Sequence, residues 1–310
     1  MLRKFAYNKI FRTTGMLLLF VMLLLFPASN KYSLEKEHTL NVSKIVAKKE
    51  IFLLDKYNYI SRSKIDITAS TKEEYAGKLI ELLIKGGKYE ESIPNGFKAL
   101  LPSELKINSI SIENNDIKLD LSKELYELSD ENLKKAVELI TYNLTTIDAI
   151  DNVYINIDGK KLNIEQPLTR KKGINKYYDI NTYKNVDITT IYFVSKNNLG
   201  YYYVPVSKIT NNNKDKIKII IDELTSSTIY ETNLMSFLNY NTKLLDYEIN
   251  DDVLKLNFNE FLFDDMSTRS ILEEVIYSIS LSIRDNFNVK EVIFTVNDNE
   301  ITKSVIKNIE

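Results

Sequence analysis

The 310-residue chain has no cysteine. That excludes disulfides, thiolate catalysis, cysteine-ligated zinc and a lipid-modified N-terminal cysteine. It has one histidine, His38, in a polar stretch remote from any patterned element. A Ser-His-Asp triad needs its base among packed elements, and histidine-rich metal sites need several imidazoles, so both classes are excluded. No glycine-rich phosphate loop is present. Gly86-Gly87 follows a helical pattern, whereas a phosphate cradle lies between a strand and a helix. No cofactor and no metal site are expected. The formal net charge of −2 is too small for a dedicated nucleic-acid binder. Charge is nonetheless uneven, at about +5 for residues 1–186 and about −7 for 187–310, and the acidic distal half could select a basic partner.

Long hydrophobic runs are also scarce, with one at the N-terminus. Arg3, Lys4, Lys9 and Arg12 precede an apolar stretch, and Pro27-Ala28-Ser29-Asn30 follows it. Its core is Met16, Leu17, Leu18, Leu19, Phe20, Val21, Met22, Leu23, Leu24, Leu25 and Phe26. This is the layout of an export signal, and the basic flank leaves the bulk of the chain outside the cytoplasm. Residues 1–29 read either as a membrane anchor, short against the roughly 20 residues of a full span, or as a signal cut after Ser29. Pro27 at the −3 position favours the anchor. Residues 30–49 read as a polar spacer.

The rest of the chain repeats itself. A shift of 137 residues lays Ile112, Ile117, Lys118, Leu119 and Leu121 on Ile249, Leu254, Lys255, Leu256 and Phe258. A shift of 139 lays Leu133, Ala136, Val137, Ile140 and Leu144 on Leu272, Val275, Ile276, Ile279 and Ile283. The boundaries expected are 50–165 for the first copy, 166–186 for a linker carrying Arg170, Lys171, Lys172 and Lys176, and 187–310 for the second copy. The linker's basic cluster reads as a solvated stretch before it reads as a contact to anionic lipid or wall polymer. Apolar spacing predicts helices near 73–85, 129–147, 215–226 and 268–285. Alternating segments predict strands around them, with hairpin turns at Asn114-Asn115-Asp116 and Asn250-Asp251-Asp252. The fold class is α/β (α+β): two tandem two-layer sandwiches, each with two helices on one face of a small mixed sheet.

Carboxylates are the remaining chemical option. The hairpin residues Asp116, Asp251 and Asp252 could bind calcium or sugar, but Asn and Asp favour such turns by bonding their own backbone. Asp264-Asp265 and Glu273-Glu274 could host a glycosidase-like pair. The first copy has only Glu127 and Glu138 nearby, and helix N-terminal or solvated roles explain all of them. No catalytic residue is assigned. Tyr201, Tyr202 and Tyr203 on one strand are the candidate interface, with Tyr202 on one face and its neighbours on the other.

The module Ile51-Phe-Leu-Leu, a helix ending Ile84-Lys-Gly-Gly, then Ile93-Pro-Asn-Gly-Phe-Lys-Ala-Leu-Leu, Ile117-Lys-Leu-Asp-Leu-Ser-Lys and Val153-Tyr-Ile-Asn-Ile-Asp-Gly resembles the GerM (GerMN) domain of sporulation and spore germination proteins. The second copy repeats it less faithfully over Ile191–Ile301. The resemblance implies tandem domains behind an export signal, with a fold similar to the ring-building motifs of secretion systems. It also implies a role between mother cell and forespore, in support of a channel complex. It carries no catalytic residues. Family members are often lipoproteins; without cysteine, this chain would rely on its hydrophobic segment. The partners implied are envelope or membrane-complex proteins and the membrane itself, with peptidoglycan as the alternative partner for a wall-binding or wall-hydrolysing module.

Overall fold

The computed structural model describes residues 49–178, 186–211, 215–226 and 233–305. The N-terminal hydrophobic segment, including Met16–Phe26, and the spacer up to residue 48 lie outside the described residues. Among the described residues, no helix is long and apolar enough to cross a membrane.

The first copy comprises β1 (Lys49–Asp55), β2 (Ile60–Ile65), α1 (Lys72–Glu81), β3 (Phe97–Lys98), β4 (Ile107–Glu113), β5 (Asp116–Leu121), α2 (Asp130–Leu144), β6 (Asn152–Ile157) and β7 (Lys160–Lys161). A short β8 (Tyr177–Tyr178) follows. The second copy holds β9 (Val186–Asn197), β10 (Gly200–Asn211), α3 (Lys216–Thr225), β11 (Leu244–Asn250), β12 (Val253–Phe258), α4 (Glu273–Asn286), β13 (Glu291–Val296) and β14 (Asn299–Val305). The chain is thus a mixed α+β protein in which one unit occurs twice.

The duplication extends to register. In β4-β5-β6-β7 and in β11-β12-β13-β14 the outer pairs are antiparallel and the central pair is parallel. Ile110 and Ile112 face Leu119 and Ile117; Tyr247 and Ile249 face Leu256 and Leu254. Both edge strands carry a register shift at the same place, between Ile107 and Ser109 and between Leu244 and Asp246. Asn114 and Asp251 take the left-handed conformation (φ 54° and 53°) in the two hairpin turns. The carbonyl of the next residue, Asn115 or Asp252, accepts the backbone amides that start β6 or β13. These residues therefore serve the turn itself.

Helix ends follow local chemistry. Thr71, Ser129 and Asp215 cap α1, α2 and α3 by accepting backbone amides in the first turn. The helix expected from 268 begins at Glu273. Asp265 accepts the Ser267 amide and hydroxyl, and backbone bonds join Asp264 and Asp265 to Ser270, so this stretch closes as a loop.

One feature of the fold was not visible in the periodicity. The first hairpins of the two copies leave the small mixed sheets and share a separate sheet, ordered β3-β1-β2-β10-β8, with β9 on β10. Residues 139–144 of α2 are all buried, which a 3.6-residue period does not allow on one contact face. The second cover is β1. The Asn143 amide accepts from Phe52 N–H at 2.9 Å and donates to Phe52 C=O at 2.8 Å, finishing the strand edge with a side chain. In the second copy Ser282 accepts from the Tyr192 amide, and Asn286 bonds both the N–H and the C=O of Thr190.

The seam between the copies and the candidate interface

Where β2 meets β10, Arg62 pairs with Tyr203. Pro205 has no amide to donate, and a connecting residue fills the gap. Asn175 accepts from Ile60 N–H and donates to the carbonyls of Ile60 and Pro205. Beside it, Ile174 exchanges bonds with Ser207, and Gly173 sits with φ 75° where a Cβ would come within 2.8 Å of the Ser207 side chain. The basic connection read as solvated is therefore packed into the seam over Arg170–Tyr178, although Lys171 and Lys176 remain exposed.

A largely buried ionic cluster fixes the same seam. Glu50 on β1 accepts two bonds from Arg284 on α4, at 2.8 and 3.0 Å, and lies 3.2 Å from Arg62 on β2. Asp285 takes both its oxygens to Arg170 at 3.2 Å, the Tyr192 hydroxyl at 2.7 Å and Arg284 at 3.1 Å. Arg170 also bonds Thr145 and the Tyr142 carbonyl and lies over the Phe52 and Tyr142 rings. Burial opposes ionisation of Glu50. The positive charges of Arg284, Arg62 and Arg170 outweigh it and hold the carboxyl well below the usual carboxylate range. Burial, and then the Asp285 charge, push the Tyr192 hydroxyl well above its ordinary value, so it stays a proton donor.

The three tyrosines part company here. Tyr202 turns inward: it is 6% exposed, packs edge-on against Phe97 of the first copy at 5.0 Å, and donates to the buried Asp55 at 2.9 Å. Asp55 also accepts the amides of Tyr57 and Tyr59 and the Ser61 hydroxyl. Tyr201 is 44% exposed, against Phe237, and Tyr203 is half-buried beside Tyr277. With Pro94, Phe97, Leu199, Arg62, Glu273 and Glu274 they line an open groove of about 550 Å³ that crosses the junction of the copies. Burial, followed by the Glu274 and Glu273 charges, raises the Tyr203 hydroxyl above its ordinary value. Glu273 and Glu274 occupy the first turn of α4, where the helix dipole favours them.

Asp264 and Asp265 do not join the glutamate pair at this groove. Asp264 borders a different, wider hollow of about 1550 Å³, whose wall includes residues on both sides of 227–232, outside the described residues. Glu127 is exposed, and Glu138 is partly buried, which raises its carboxyl above the ordinary value. Among the described residues, no group of three or more acidic or histidine side chains is placed to hold a metal. Sequence reasoning missed Glu50, Arg62, Arg284 and Asp285 and read Arg170 as part of a solvated cluster, since charges carry no local sign of pairing with residues up to 234 positions away.

The family model described as "Germane: Sporulation and spore germination" matches residues 51–163 and again 190–302. The spore germination protein GerM of Bacillus subtilis (strain 168) is 31% identical over 285 residues, covering 87% of this chain and 77% of that one. The solved tandem GerMN domains of the sporulation protein GerM from Bacillus subtilis superpose with a TM-score of 0.73 at 30% identity, over 81% of this chain and 91% of that chain. With both copies matched and most of the chain aligned, this protein belongs to the GerM-type sporulation and spore germination family, in its tandem-domain form.

Proposed function

We propose that the chain is a non-enzymatic scaffold of the sporulation or germination envelope, supporting assembly of a membrane channel or ring complex. Residues 16–26 anchor it, and its bulk is extracytoplasmic. The observation that carries this reading is the seam. Among the described residues, a shared sheet, the Asn175 stitch and the Glu50–Arg284–Asp285–Arg170 cluster tie the two copies together. Two rigidly joined modules hold two sets of sheet edges at a fixed spacing, which suits a part that sets geometry for others.

A second reading, binding or hydrolysis of peptidoglycan, is favoured by the groove, where exposed Tyr201 and Tyr277 stand beside Glu273 and Glu274. One experiment separates them. The full chain, tagged after Glu310, is cross-linked in sporulating cells and recovered, while residues 46–310 are incubated with purified wall fragments. Stoichiometric recovery of membrane-complex proteins is expected, without turnover. Wall turnover abolished by Glu274→Gln would replace the scaffold reading with the wall-active one.

A further inference from the structure

The two copies serve as internal controls for each other, and they differ most plainly along one open edge. β4 and β11 are equivalent, each the outermost strand of its mixed sheet. On β4, Ile110 and Ile112 are half-buried against the core, with Ile110 under α1 at Gly77. On β11 their equivalents Tyr247 and Ile249 are 38% and 44% exposed, with the Tyr247 hydroxyl donated to Asp215 at the N-terminus of α3 at 2.9 Å. The bulged residue is Asn108 on β4 and the exposed Leu245 on β11. On the opposite face, Ser109 and Ser111 of β4 correspond to Asp246 and Glu248 of β11. Neither carboxylate forms an ion pair among the described residues, although Lys255 is the register partner of Glu248.

Charge on an edge strand commonly serves to repel stray pairing. That does not explain β11. A protective edge has no need of an added exposed leucine and an uncovered isoleucine, and β4 is equally open with serines in place of the acids. Pairing with a second β11 is disfavoured too. An antiparallel match centred on Tyr247 would set Asp246 against Glu248 of the other copy, and like charges directly opposite are destabilising.

We propose that the outer edge of β11 receives an extended segment of a partner protein in which apolar and basic residues alternate. The strand would add to the sheet through backbone hydrogen bonds, its apolar residues beside Tyr247 and Ile249 and its basic residues beside Asp246 and Glu248. The alternation follows from the pleat: neighbours across a ladder share a face, so an apolar face and an acidic face ask for complementary residues at every second position. This deepens the scaffold reading and rests on it, by giving the chain one specific attachment edge.

The test uses the full chain in detergent micelles and an eight-residue peptide of alternating lysine and valine. Amide hydrogen exchange is followed along β11, with β13 as the internal record of folding. The expected result is exchange in β11 slowed about tenfold or more, a margin of roughly 1.4 kcal/mol, with β13 unchanged. The same peptide methylated at every backbone nitrogen should give no protection. In the doubly substituted Asp246→Lys, Glu248→Lys chain the lysine–valine peptide should lose its effect and a glutamate–valine peptide should gain one. No protection of wild-type β11, equal protection by the methylated peptide, or protection that survives the charge reversal would each overturn the proposal. In the native host, charge reversal without phenotype beside a deletion that disrupts the envelope complex would end the β11 assignment alone. A deletion that leaves the complex intact would end the scaffold reading itself.

Discussion

Glu50 is the most exacting place to test the seam. Glu50→Gln keeps the shape of the side chain and removes its charge. Arg284 then loses a bidentate carboxylate at 2.8 and 3.0 Å, and Arg62 loses the one 3.2 Å away. Breaking a buried ion pair from one side costs about 3–5 kcal/mol. Side-chain exposures of 10% for Glu50, 18% for Arg284 and 13% for Arg62 allow some water in, so we expect about 2–4 kcal/mol. In urea, at a slope near 3 kcal/mol per molar, that lowers the midpoint by about 1 M. Arg284→Met should cost a similar amount, but the double variant less than the sum, with a coupling of about 1–3 kcal/mol. The folded-state pKa of Glu50 is depressed, so its stabilisation is complete above the unfolded value near 4.3 and is lost as pH falls toward the folded one. The acid limb of stability against pH below about 5 should therefore flatten in Glu50→Gln. A loss under about 1 kcal/mol together with additive variants would refute the view that this cluster holds the copies together.

Other positions give sharper, smaller statements. Asn143→Ala leaves Phe52 N–H and C=O buried without partners and should cost about 2–4 kcal/mol in the same urea assay. Tyr202→Phe removes one hydrogen bond to the Asp55 carboxylate, worth about 1.5–3 kcal/mol, and calorimetry should record a lower Tm without a change of fold by circular dichroism. Gly173→Ala combines a left-handed φ with a 2.8 Å approach to Ser207, and should lower stability by about 2 kcal/mol or more, whereas Lys171→Ala on the exposed side of the same stretch should change it by less than about 0.5.

The duplication, the helices near 129–147 and 215–226 and the hairpin turns at Asn114 and Asp251 could all be read from the sequence, because periodicity and turn chemistry depend on residues within a few positions of one another. The family, too, was carried by such local patterns. What lies between the copies was not. A strand such as Ile51–Leu54 shows that both its faces are buried, but not which element covers each or which sheet it joins. Charged residues such as Glu50 and Arg284 look like solvated surface until the fold sets them side by side. The sequence by itself determined two α+β units and their local turns, since those follow from periodicity and backbone chemistry. Only the tertiary structure decided that Arg170–Tyr178 is a seam rather than a tether, that Tyr202 faces inward, and that Ile249 on β11 is more exposed than its equivalent Ile112 on β4, since each depends on contacts whose partners are far apart along the chain.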